Sequence, residues 1–335
     1  MSGRGRRVGL VGGVVGLAAG AAVAGERLLA RRLRATADPD GGGILAAEYE
    51  RSRRIPAHDG GELFVVESGT GPVIVLVHGL MHSVRAWAKQ LRSLSAAGYR
   101  VVAYDHRGHG DSELGPAGHG VGQIAADLRA VLEALDLRDV VIVGHSMGGI
   151  ATQAMCIDHP EVVHARVAGI VLLSSLARSP FAGNPRLVRL ATAVAAHLPD
   201  TSAVLRARDL GLVLTRAGFG RSPAPSHVEV TRQMLLATDA ETRRDAATSL
   251  AGLNLMARLH EIHCPTLVIG GSADVIAPVA ESRRIAAAIP GARLEVLDGG
   301  GHMLMFEQAD VLDRLVIEFA RSVQGRHHDA VESTG

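Results

Sequence analysis

The chain has 335 residues, of which 47% are hydrophobic, and its formal net charge is +1. This length allows one large α/β domain with a full core or two ordinary domains, and the balanced charge excludes a bulk attraction to nucleic acid. The two cysteines, Cys156 and Cys264, are too few for a disulfide framework, and no spacing of Cys and His is typical of a metal site. We therefore expect a globular protein without a bound metal.

Residues 1–43 are predicted to lie outside the folded domain. The basic start MSGRGRR precedes eighteen uncharged residues, 8–25, and this pattern has three interpretations. It is a membrane anchor, a signal peptide cleaved near Ala22–Ala24, or a tail without a targeting role. We accordingly expect a membrane-associated or exported protein, with a cytoplasmic one as the alternative. The stretch DPDGGG, Asp38–Gly43, predicts a flexible linker to the folded domain.

From about Ile44 onward, short apolar runs alternate with helical patterns. Most of the runs are continuously apolar, which is typical of strands covered on both faces in a mainly parallel sheet. The strand-like runs are Gly61–Val66, Pro72–Gly79, Tyr99–Asp105, Asp139–Ser146, Ala168–Ser175, Pro265–Asp274 and Ala292–His302. The helical patterns are Val84–Ala97, Gly122–Leu135, Met147–Asp158, Val279–Ala288 and Leu304–Val323. This alternation predicts βαβ units.

Residues 177–263 interrupt that rhythm. They contain five prolines and helical stretches such as LVRLATAVAAHL, but no strong strand. Because a structureless loop of this length is implausible, we predict an inserted helical cap. The core would then comprise residues 44–176 and 264–325, followed by a disordered tail at 326–335.

The pentapeptide Gly144-His145-Ser146-Met147-Gly148 matches the G-x-S-x-G motif at a strand-to-helix junction. There the turn is tight, the glycines allow close approach of neighbouring backbone, and the serine hydroxyl is exposed above the sheet edge. The alternative is a serine that only caps the helix. The strand–turn–helix context favours a nucleophilic Ser146.

A nucleophilic serine needs a base and an orienting acid, which follow it in the order Asp or Glu, then His. His302 lies in the glycine-rich stretch DGGGHMLMF after the last predicted strand and is the expected base. Asp274 ends the preceding strand and is the favoured acid. Asp298 competes, although it ends the histidine's own strand. The backbone amides of Met147 and Leu80 are the expected oxyanion donors.

These motifs together resemble the α/β-hydrolase family over roughly Arg53 to Val323. HGLMHSVRAW resembles the family's oxyanion loop, and YDHRGHGDS, Tyr104–Ser112, resembles its turn after the fourth strand. GHSMGG resembles the elbow of serine esterases and monoacylglycerol lipases. The resemblance implies a mostly parallel eight-stranded sheet with flanking helices and an inserted helical cap.

The resemblance also narrows the expected activity. Epoxide hydrolases and haloalkane dehalogenases of this fold use an aspartate at the elbow, so Ser146 disfavours both. Cofactor-free haloperoxidases (perhydrolases) are similar over DLRDVVIVGHSMGG but often carry Phe where this chain has His145. Plant-hormone receptors of this fold are binding proteins that lack the catalytic histidine, whereas this chain has His302. We expect a serine hydrolase that cleaves carboxylic esters through an acyl-enzyme, with a perhydrolase as the alternative and a non-catalytic binding protein least favoured.

Apolar residues near the catalytic loops and in the cap suggest the substrate. Met81, Met303, Phe181 and Phe219 are predicted to line a pocket for a small-molecule or lipid ester. Packing of the cap on the sheet explains the same apolar residues equally well. No phosphate-binding loop or dinucleotide fingerprint follows the first strand, so no cofactor is expected.

Overall fold

The computed structural model describes residues 25–40, 46–197, 200 and 202–325. The strands in these ranges are β1 Arg51–Pro56, β2 Glu62–Ser68, β3 Val73–Val77, β4 Arg100–Tyr104, β5 Val140–His145, β6 Val167–Leu173, β7 Thr266–Gly271 and β8 Arg293–Leu297. They form one sheet in the order β1-β2-β4-β3-β5-β6-β7-β8. Strand β2 pairs antiparallel with β1 and β4, and all other pairs are parallel. The expected mostly parallel eight-stranded sheet is confirmed.

Helices cover both faces of this sheet. The α-helices are α1 at residues 25–34, α2 Ala88–Ala96, α3 Val121–Ala134, α4 Met147–Asp158, α5 Pro160–Arg166, α6 Pro185–Ala196, α7 Ser202–Arg206, α8 Arg208–Arg216, α9 Pro225–Ala237, α10 Ala240–Ala251, α11 Val279–Ala288, α12 Leu304–Glu307 and α13 Ala309–Val323. Helices α2 and α13 pack on one face of the sheet, while α3, α4 and α11 pack on the other.

Strand β3 shows why its sequence is continuously apolar. Ile74 and Leu76 belong to the cluster that contains α2 and α13, whereas Val75 and Val77 belong to the cluster that contains α3 and α4. Successive side chains of a strand point to opposite faces, and here both faces are buried. The turns that follow the parallel central strands therefore all lie at the same edge of the sheet, the one formed by the carboxyl ends of these strands.

Strand β1 was not among the runs predicted from the sequence. Its residues RSRRIP are mostly exposed, and it lies at the edge of the sheet. Arg53 is held by the buried carboxylate of Glu67 on β2 at 2.7 Å. An edge strand whose side chains are mostly charged contains no apolar run, so a search for apolar runs does not predict it.

Helices α6 to α10 lie between β6 and β7 in the chain and are called the helical insertion below. The two ends of the insertion meet in an antiparallel bridge between Arg178 and Asn254. Asn184 caps α6 and Asp239 caps α10 through their side-chain oxygens. The predicted boundaries of the cap at 177 and 263 stay a prediction.

The described part of the predicted flexible linker is tied to the rest of the protein. The Asp38 carboxylate accepts hydrogen bonds from the amide and hydroxyl of Ser226, at 2.9 and 2.8 Å. The Asp40 carboxylate contacts Lys89 at 3.0 Å and His227 at 2.6 Å. These contacts hold the two aspartates in place, while the linker at Asp38–Gly43 as a whole stays a prediction.

Several other predictions fall outside the described ranges. They concern the apolar residues 8–24, the glycines at 41–43 and the tail at 326–335. Among the helices within the described ranges, none has the length and apolar character needed to cross a membrane. The anchor and signal interpretations of residues 8–25 stay predictions.

Candidate active site

Ser146 occupies a strained turn between β5 and α4. Its backbone has φ 51° and ψ −115°, a conformation that non-glycine residues rarely adopt. The turn also brings backbones unusually close together. A Cβ added to Gly148 would lie 2.2 Å from the carbonyl oxygen of Val77, and one added to Gly144 would lie 2.6 Å from that of Gly148. The glycines of the motif are thus required for the turn that exposes Ser146.

His302 and Asp274 form a buried pair at the ends of the neighbouring strands. The Nδ1 atom of His302 lies 2.9 Å from Oδ2 of Asp274, and the two residues are only 4% and 6% exposed. The other oxygen of Asp274 accepts hydrogen bonds from the amides of Ile276 and Ala277, both at 2.8 Å. This network fixes the carboxylate and leaves one oxygen to orient the imidazole.

The competing aspartate lies elsewhere. The Asp298 side chain is 81% exposed and contacts Ser272 and Arg221 at the surface. The hydroxyl of Ser272 keeps the pKa of Asp298 below its ordinary value. Of the two candidate acids, only Asp274 contacts His302.

Ser146 and His302 line one cavity of about 300 Å³. No hydrogen bond joins these two side chains, and such contacts are often long in the absence of substrate. All but one of the residues predicted to bind substrate or to donate to the oxyanion also line this cavity. Those present are Leu80, Met81, Met147, Met303 and Phe219. The helical insertion adds Leu214, Thr215, Thr231, Leu235 and Leu250, so it covers the serine.

Phe181 is the exception. It is 40% exposed and lines a separate groove between α6 and α10. It lies in the turn that precedes α6, where the Ser179 hydroxyl accepts a hydrogen bond from its amide at 3.0 Å. Phe181 therefore lies outside the cavity that Ser146 lines, and its predicted part in substrate binding stays a prediction.

Two backbone amides lie beside the serine without an acceptor. Met147 is the first residue of α4, where N–H groups have no intrahelical partner. Leu80 follows Gly79, and a Cβ added to Gly79 would lie 3.1 Å from Cβ of Ser146. Among the hydrogen bonds of the described residues, neither amide has an acceptor. Both are available to an oxygen of a bound molecule.

Comparison with known proteins agrees with this architecture. Residues 72–309 match the model of the family described as alpha/beta hydrolase fold. The chain belongs to the α/β-hydrolase fold family.

Relatives in this family carry different names. The chain is 30% identical to a non-heme chloroperoxidase from Kitasatospora aureofaciens, over 78% of this chain and 96% of that protein. It is 31% identical to a protein of Pseudomonas syringae named "Putative carbamate hydrolase RutD", over 72% of this chain and 90% of that one. A thermophilic esterase structure from Thermogutta terrifontis is 27% identical with a TM-score of 0.69, covering 82% of this chain and 100% of that chain.

Glu307 and His145 hold the stretch Gly301–Met303, which carries His302. The sequence did not predict these contacts. Oε1 of Glu307 accepts hydrogen bonds from the amides of Gly301 and Met303, both at 3.1 Å. Nε2 of His145 lies 2.9 Å from the carbonyl oxygen of His302 and donates to it. Two features of the sequence point to these roles. Glu307 follows His302 by five residues, and His145 stands beside Ser146 where perhydrolases often carry Phe.

Buried histidines surround the turns that carry this site. Burial lowers the pKa of His82 to about 3, of His109 to about 4 and of His119 to about 3. It also holds the pKa values of His78, His106 and His145 well below the ordinary range. These imidazoles are neutral in the folded protein at neutral pH. No three His, Cys, Asp or Glu side chains within the described ranges come together as a metal site.

We predict that the protein loses stability steeply as the pH falls below about 6.5, the ordinary histidine pKa. Below that pH the unfolded chain binds protons at these six histidines and the folded chain does not, so each costs about 1.4 kcal/mol per pH unit. Burial raises the pKa of Asp105 to about 7, so its protonation favours the folded state and offsets the effect of one histidine.

Urea unfolding at a series of pH values between neutral and mildly acidic measures this proton uptake. The His119→Gln variant removes one buried histidine and should reduce the uptake on unfolding by about one proton. A free energy of unfolding that stays constant across this range would contradict the prediction.

Proposed function

We propose that the protein is a serine hydrolase that cleaves carboxylic esters through an acyl-enzyme. The observation that carries the proposal is the buried Asp274–His302 hydrogen bond of 2.9 Å beside a strained Ser146 in the same cavity. A serine activated by a histidine, itself oriented by a carboxylate, is the arrangement required for nucleophilic acyl transfer. The apolar cavity walls suit the acyl or alcohol part of a small-molecule or lipid ester.

Each residue has a defined part in the proposed reaction. Nδ1–H of His302 donates to Asp274, so Nε2 is free to accept the proton of Ser146 as its oxygen attacks the ester carbonyl. The amides of Leu80 and Met147 bind the resulting oxyanion. His302 returns the proton to the departing alcohol and then activates the water that releases the acid.

We predict that Ser146→Ala lowers kcat for ester hydrolysis by a factor on the order of 10⁵ to 10⁶, because only binding and oxyanion stabilisation remain. A fluorophosphonate probe should label the wild type and fail to label the variant. Equal labelling of both proteins would mean that another residue is the nucleophile.

We predict that Asp274→Asn lowers kcat by about 10⁴, because the amide favours the wrong imidazole tautomer. Asp298→Asn is the matched control, since its side chain is 81% exposed and does not contact His302. It should change kcat by far less. Both variants need to be compared as folded protein, and the reverse ranking would overturn the choice of Asp274.

A perhydrolase is the second candidate, and the similarity to a non-heme chloroperoxidase favours it. A perhydrolase uses the same serine chemistry but favours peroxide over water at the acyl-enzyme. Against this reading, His145 stands where those proteins often carry Phe. Its hydrogen bond to the carbonyl of His302 gives the polar residue a positioning role beside the serine.

We predict a preference for medium or long acyl esters over acetate, with little peracid formed from acetate and hydrogen peroxide. The measurements are kcat/KM for a series of acyl esters and bromination of monochlorodimedone. Preference for acetyl esters, together with rapid bromination that disappears in Ser146→Ala, would make the perhydrolase the better assignment.

A further inference from the structure

Two apolar spaces meet at Leu250 near the end of α10. On one side lies the cavity of Ser146, which Leu176, Leu214 and Leu235 line together with this leucine. On the other side lies an open groove of about 500 Å³ between α6 and α10, here called the α6–α10 groove. Leu250 lines both spaces, so the covered cavity of Ser146 and the outer groove adjoin at this side chain.

The α6–α10 groove is apolar and exposed. Its main side chains are Phe181, Leu187, Leu190 and Val194, which are 40%, 46%, 61% and 56% exposed. The hydroxyl of Ser179 already accepts a hydrogen bond from Phe181, and alanines supply much of the remaining wall. Contiguous exposed apolar surface of this kind marks a binding site, and this one suits hydrocarbon.

We propose that the α6–α10 groove receives the distal part of a long, unbranched acyl chain whose ester carbonyl lies at Ser146. The inference rests on the proposed function and deepens it by naming long-chain esters as the substrate class. The adjacency of the two spaces at Leu250 favours this occupant, because a long chain bound at Ser146 would reach the groove by displacing this one side chain. The distal part of the acyl chain would exchange part of its contact with water for contact with the apolar walls of the groove.

Methylene groups that enter the groove should raise kcat/KM. Each buried methylene contributes about fourfold to a binding constant. The gain should therefore continue from butanoate through octanoate to dodecanoate esters, instead of ending when the cavity at Ser146 is filled. The relevant quantity is the ratio of kcat/KM for the dodecanoate ester to that for the butanoate ester, with both substrates kept below micelle formation.

Two substitutions at Leu250 should move this ratio in opposite directions. Leu250→Ala shortens the side chain shared by the two spaces and should raise the ratio, whereas Leu250→Trp enlarges it and should lower the ratio at least tenfold. A change in the same direction in both variants, or no change in either, would overturn the inference.

A second pair of variants tests the groove beyond Leu250. Leu190→Asp puts a charge into the groove and should lower the ratio at least tenfold. Val204→Asp is the matched control, because Val204 is a 41% exposed apolar residue of α7 that lines neither space. It should leave the ratio unchanged. In the Ser146→Ala background, calorimetry should detect dodecanoate binding that Leu190→Asp weakens and Val204→Asp does not.

The outcomes separate this inference from the proposed function. Hydrolysis of butanoate esters that depends on Ser146, without a gain for longer chains, would overturn the inference and leave the function standing. Absence of all ester hydrolysis would overturn the function. If Leu190→Asp left the ratio unchanged but abolished binding to phosphatidylcholine vesicles or self-association, the groove would bind a bilayer or a second copy of the chain, and the inference would be wrong.

Discussion

The close backbone contact at the elbow is the constraint on which the site depends. A residue at φ 51° is held between β5 and α4 only because Gly144 and Gly148 let neighbouring backbones approach where a side chain would collide. The same contact brings the start of α4 against the end of β3, where the Val77 carbonyl oxygen lies 2.2 Å from a Cβ built on Gly148. It therefore sets Ser146, the free amide of Met147 and the loop that carries Leu80 in one small volume. The strain at Ser146 is sustained by the buried strands on either side of β5.

The order of strands in the sheet brings together Asp274 and His302, the proposed acid and base that serve Ser146. Strands β7 and β8 are parallel neighbours, and Asp274 and His302 lie in the turns after their carboxyl ends. Parallel order thus brings residues 28 positions apart within hydrogen-bond distance. Asp298 is nearer to His302 in the chain, yet it points outward to Arg221 and Ser272. Proximity along the chain was the weaker guide, because the direction of a side chain at the end of a strand is decided by the turn that follows it.

The apolar runs predicted the central sheet and the elbow motif predicted the turn at Ser146, since both are local patterns with one structural solution. Chain order favoured Asp274 over Asp298 as the partner of His302, and the structure has Asp274 and His302 in contact. Strand β1 could not be predicted from the sequence, because an edge strand of mostly charged residues shows no pattern of apolar residues. The contacts of Asp38 and Asp40 could not be read from their local sequence, because their partners, Ser226 and Lys89, lie far away in the chain. The sequence could not show which space Phe181 lines, because apolar character does not show on which side of the insertion a residue lies. Glu307 was missed because its acceptor role depends on loop geometry.

The contacts of Glu307 also tie the helical insertion to the proposed base. Its Oε2 atom accepts a hydrogen bond from the amide of Gly220 at 2.6 Å, while Oε1 accepts from Met303, next to His302. The amide of His302 in turn donates to the carbonyl oxygen of Gly218 at 2.9 Å. A Cβ on Gly220 would lie 2.1 Å from the carbonyl oxygen of Gly299, so the two loops are in direct contact. The stretch that connects α8 to α9 is thus hydrogen-bonded to His302 itself, through Gly218, and to Glu307, through Gly220. Because of these bonds, a displacement of this part of the insertion would also displace His302, the proposed base.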